Sequence, residues 1–151
     1  MRAITTHVRL GDGYLVERDP NTTWYARRQG GRSSAYSDNV SHAWECVTRF
    51  SRVGNDCLPC VVVADAEEVK ADARRFLPAP ILTAGVAIHQ LAASGSEQTL
   101  DNEDKTLLDW WLMARSEILV KGGGSSFSDT ADMFRAAGDN TGRTLSLSQC
   151  H

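Results

Sequence analysis

His7-Val-Arg9-Leu-Gly-Asp12, near the start of the chain, places an imidazole and a guanidinium two residues apart, and so on one face of an extended segment. A guanidinium is a planar, permanently charged fork suited to phosphate oxygens. At the end of a strand it stands where α/β sheets bind ligands. The same residues would equally form an Arg9–Asp12 surface pair worth under about 1 kcal/mol. A second segment, Lys121-Gly-Gly-Gly-Ser-Ser-Phe-Ser128, is a glycine-rich turn between a strand-like run and a helix-like one. Its backbone N–H groups and the following helix N-terminus favour an anion, and a phosphate would be well placed there. The spacing is neither GxGxxG nor GxxxxGK followed by Ser or Thr, so the dinucleotide and Walker readings fail. The competing account is a flexible turn capped by Ser126, with Asp129 as its capping-box partner. Third, Asp109 is embedded in the apolar run from Leu107 to Met113. A bare buried carboxylate is costly, so it needs donors from a ligand, an arginine or backbone amides. A guanine base supplies such donors; a position at a solvent-filled edge would make them unnecessary.

The elements that must position these residues follow from periodicity and punctuation. Ala3 to Arg9 is rich in β-branched residues and runs into Gly11-Asp-Gly13, a strand ending in a turn. Residues 13–38 are polar, with two glycine or serine doublets and no sustained period, and read as a long loop. Ser41 to Arg52 reads as a helix carrying Trp44, Val47 and Phe50 on one side. Cys60 to Ala64 is a continuous apolar run typical of a parallel strand covered on both faces, and it ends at Asp65, which opens the next helix. That helix presents Val69, Ala73 and Phe76 to the sheet until Pro78 and Pro80 stop it. Ile81 to His89 reads as a third strand and Glu117 to Lys121 as a fourth. Between them lies a helix, Glu103 to Ser116, apolar around most of its circumference and expected to be sandwiched between layers. A last helix spans Ser126 to Ala137, and residues 139–151 read as an irregular tail. Strands alternating with helices predict a single α/β domain over residues 1–151, a Rossmann-like parallel sheet flanked by helices, with ligand-binding residues just after the strands.

Composition narrows the partners. Sixteen Lys and Arg against nineteen Asp and Glu give a formal charge of -3, without the basic excess that nucleic acid demands. No stretch reaches the roughly 20 apolar residues of a membrane span. Four cysteines are too few for a disulfide-dense scaffold, and Cys57-Leu-Pro-Cys60 lacks the second pair that would complete a zinc site; these read as small residues at a strand entrance. Asn21-Thr-Thr and Asn39-Val-Ser are acceptor sequons with meaning only in a secretory lumen.

Taken in order, HVRLGD, VVVADAEEV and DWWLMARSEILVKGGGSSFS resemble the motifs of the α1,2-, α1,6- and protein O-fucosyltransferase superfamily. The first family motif reads H-x-R-x-G-D or close to it, and the last pairs an aspartate on a helix with a serine-serine turn. The resemblance runs from about His7 to Ala131. It implies the C-terminal half of a GT-B glycosyltransferase, the half that binds the donor nucleotide sugar, GDP-fucose. On that resemblance Arg9 would be the catalytic residue gripping the diphosphate. Gly124, Ser125, Ser126 and Phe127 would complete the cradle, His7 and Asp109 would recognise guanine, and Asp12 and Asp65 would belong to the donor site. The sequence departs from the pattern where Leu10 replaces a second basic residue and where Asp129-Thr130 stands for the paired tryptophans of the α1,2 enzymes. The resemblance further implies no cofactor and no metal, a glycan or protein acceptor, and an N-terminal acceptor domain with no counterpart here. It implies a Golgi or endoplasmic reticulum lumen for a eukaryotic chain, and the cytoplasm for a bacterial one. The alternatives are a non-catalytic nucleotide or nucleotide-sugar module and an eroded structural remnant.

Overall fold

The computed structural model describes residues 1–9, 33–53, 56–65, 67–84, 100–122, 125–138 and 142–150. In chain order the elements are β1 (Ile4–Val8), α1 (Ser33–Phe50), β2 (Arg52–Val53), β3 (Asp56–Cys57), β4 (Cys60–Ala64), α2 (Glu67–Phe76), β5 (Ile81–Leu82), α3 (Leu100–Arg115), β6 (Ile118–Gly122), α4 (Ser126–Ala137) and β7 (Arg143–Ser146), then a 3-10 turn, Leu147–Gln149. Five strands form a wholly parallel sheet in the order β5-β4-β1-β6-β7, while β2 and β3 make a separate antiparallel pair. The expected parallel α/β sheet flanked by helices is therefore the observed architecture.

Burial on both sides explains why the central strands read as continuous apolar or β-branched runs. Ile4, Val8, Val62, Ala64 and Val120 pack with Val40, Ala43, Trp44 and Val47 of α1 and with Val69 and Ala73 of α2. Val63 and Leu119 face the other way, against Met113 and Ala114 of α3 and Ala131 of α4. The two-residue period of β1 accordingly sends His7 to the α3/α4 side. On that side the buried Arg135 of α4 donates to the carbonyls of Ser116 and, at 3.4 and 3.2 Å, of Glu117 and Arg143. It thereby ties the end of α3 to the starts of β6 and β7. Gly142 is required there, because a Cβ would lie 2.7 Å from the Glu117 carbonyl oxygen and 2.9 Å from that of Ser116.

Five expectations change. The loop expected over residues 13–38 gives way to α1 from Ser33, eight residues before Ser41; residues 10–32 lie outside the described residues. Val40 is buried with Ala43, Trp44 and Val47, so the apolar stripe begins ahead of the serine that looked like a cap, and a nucleated helix extends cheaply into polar sequence. The irregular tail contains β7 and the 3-10 turn, whose Ser146 and Gln149 form a capping box. Only Leu145 is fully buried in that strand, too little to leave a periodic signal. Of the expected strand to His89, β5 is Ile81–Leu82 and residues 85–99 lie outside the described residues. On α2, Phe76 is exposed and Leu77, whose N–H bonds the Ala73 carbonyl at 2.9 Å, takes the core position. Helix α3 is not sandwiched: Leu107, Leu108 and Trp111 face outward.

The cysteines also hold more than the sequence suggested. Cys46 of α1 and Cys150 form a disulfide across 104 residues, and Arg49 bonds the Cys150 carbonyl at 2.8 Å. Cys57 and Cys60 are free, and burial pushes the Cys60 thiol up. Among the described residues no helix is long and apolar enough to cross a membrane.

Candidate functional site

Parallel register brings the candidates to one edge. His7 lies between Val63 and Lys121, and Val8 between Ala64 and Gly122, so Arg9 and Asp65 leave the sheet at the same end as Gly122. Gly122 permits the approach of β6 to β1, since a Cβ there would sit 2.9 Å from the His7 carbonyl oxygen. Arg9 and Asp65 are half-buried. Asp12 and Gly124 lie outside the described residues.

His7 is buried against Phe127, with ring centroids 5.8 Å apart and planes inclined by 60°. Its pKa is lowered from 6.5 to about 4, first by lost hydration and then by the positive charges of Arg9 and Lys105, against the opposing pull of Asp129. A neutral imidazole offers one donor and one acceptor, the combination a nucleobase edge can use.

The first turn of α4 is built differently from the serine-cap account. Ser125, not Ser126, is the N-cap, in extended conformation. Its carbonyl accepts from the Asp129 N–H and the Ser128 hydroxyl, each at 3.0 Å. Its own Oγ is buried without a partner and makes no cap bond. Asp129 turns to Lys121, 2.7 Å from its Nζ, which raises the Lys121 pKa, and Asp132 adds a second carboxylate at 3.5 Å. Ser126 is exposed and Phe127 half-buried. A helix start leaves N–H groups without helical acceptors, and the buried, unpartnered Ser125 hydroxyl lies beside them.

Asp109 is 1% exposed and has a partner the sequence reading missed. Lys105, one turn earlier and 5% exposed, pairs with its Oδ2 and reaches Thr83 beyond β5 at 3.4 Å. Asp109 Oδ1 has no hydrogen-bond partner. The i, i+4 interval was a visible signal, but a lysine ordinarily remains at the surface. The structure thus gathers His7, Phe127, Arg9 and the Lys105–Asp109 pair around the ends of β1 and β6. Asp65 follows the neighbouring β4, and Ser126 points to solvent.

No protein-family model matches the chain, and no curated protein matches it. Among solved structures it is similar in fold to a NodZ alpha-1,6-fucosyltransferase crystal soaked with GDP-fucose, with a TM-score of 0.49 and 12% identity over 87% of this chain. The chain spans 35% of that enzyme's length.

Proposed function

We propose that the chain is the donor-binding domain of a fucosyltransferase-like glycosyltransferase, taking GDP-fucose and working with an acceptor-binding domain. The observation that carries this reading is the buried, unpartnered Ser125 Oγ at the start of the twelve-residue α4, on the sheet edge that Arg9 and the neutral His7 share. A diphosphate supplies acceptors for the hydroxyl, the free amides of the first turn and the guanidinium. The base would then meet His7 and the Oδ1 of Asp109. Departure of GDP develops negative charge on the phosphate, and the fixed charge of Arg9 and the helix N-terminus would stabilise it without reorganisation. Inverting transfer to a glycan or protein hydroxyl would follow once an acceptor is presented.

A second reading, a structural or non-catalytic α/β domain, is favoured by the Lys105–Asp109 pair, which satisfies half of the carboxylate without a base. Calorimetric titration of the chain with GDP and with ADP, using the native protein and Arg9→Ala, separates the two. The donor-site reading expects binding selective for GDP and lost in Arg9→Ala. A folded chain that binds neither nucleotide would overturn it.

A further inference from the structure

The outer side of α3 carries one narrow stripe: Asp104, Leu108, Trp111 and Arg115 are exposed at intervals of four, three and four residues. Such spacing keeps all four within a sector of about 60°. Leu107 flanks the stripe at 66% exposure, and Trp110 carries the apolar surface onto α4 by an edge contact with Phe134, centroids 5.1 Å apart. Phe134 and Met133 are themselves exposed. Monomeric proteins seldom expose contiguous apolar surface of this kind without a use for it. The opposite side of α3 is occupied by Lys105, Asp109 and Met113, all buried, so the stripe has no inward role.

We propose that this face is the interface of a homodimer, in which α3 packs antiparallel against α3 of a second copy. The order acidic, leucine, tryptophan, basic is self-complementary when one helix is reversed. A two-fold axis between positions 109 and 110 sets Asp104 opposite Arg115 of the second copy and Leu108 opposite its Trp111, as an isologous contact requires. A parallel arrangement would oppose Asp104 to Asp104 and Arg115 to Arg115. The charges therefore select the direction and register, and the apolar centre with Leu107 and Phe134 supplies the attraction. This surface is separate from the proposed donor site and does not depend on it.

The test is sedimentation of the full chain from about 1 to about 200 µM, with circular dichroism to establish that each variant is folded. All four positions are exposed, so substitution leaves the core intact. The native chain should pass from monomer to dimer across the range, and Leu108→Glu should weaken association by roughly tenfold or more. Asp104→Arg and Arg115→Asp should each weaken it by about threefold at low salt, and the two combined should restore it. A chain that stays monomeric at the highest concentration overturns the proposal and assigns the face to a different protein surface. A dimer indifferent to Leu108→Glu overturns it as well, and failure of the charge swap to restore association overturns the antiparallel register.

Discussion

Acidifying the protein should expose the energetic cost of keeping His7 neutral. The imidazole is 5% exposed, and its pKa falls from 6.5 to about 4 through burial first and the charges of Arg9 and Lys105 second. Between those values the unfolded chain binds a proton that the folded one refuses. Stability contributed by the neutral ring is therefore present above pH 6.5, declines by about 1.4 kcal/mol per pH unit below it, and is lost as pH falls through about 4. From about pH 7.5 to about pH 4.5 the loss works out at about 2.5 kcal/mol. Urea unfolding of the native chain and His7→Gln at both pH values measures it, because other groups that titrate equally in both proteins cancel in the difference. The native chain should lose about 2.5 kcal/mol more than the variant over this interval. Identical pH dependence in the two proteins, or an imidazole proton resonance titrating near its ordinary value, would refute the reasoning.

Lys105→Met should destabilise the fold by about 3 to 5 kcal/mol, since it leaves the Asp109 carboxylate buried without its cation. Lys105→Met combined with Asp109→Leu should recover much of that loss in denaturant titration. Cys150→Ser opens the 104-residue loop closed by the disulfide and should lower stability by roughly 3 to 5 kcal/mol. Unfolding of native protein with and without reductant should give the same difference.

Legibility in the sequence tracked how locally each feature is determined. The bounds of α4, Ser126–Ala137, follow from a glycine-rich turn on one side and Gly138 on the other, and β4 follows from five consecutive apolar residues. The parallel sheet follows from the alternation of these types. Features made by distant residues left no such mark. Short β7 owes its place to pairing with β6 and to the Thr144 hydroxyl bonded to Asp132, and the Cys46–Cys150 pair joins residues 104 positions apart. At the site, the spacing of His7 and Arg9 and the embedded Asp109 were visible as patterns. The burial of Lys105 was not, because the packing of α3 over β1, with Thr83 beside it, decides which of its charged side chains turns inward.

The position of β1 in the sheet also orders events during synthesis. It emerges before both of its partners, β4 and β6, yet occupies the centre between them. Until residues 60–64 and 118–122 have followed, both edges of this strand remain open to any other extended chain, and pairing at such sequence separations is slow. An early strand in that situation gains from being a poor adhesive. Thr5, Thr6 and His7 at its middle make β1 far less apolar than the Val-Val-Val centre of β4. The threonine hydroxyls are buried and unpartnered in the finished sheet, whereas in an unpaired strand they would bond water.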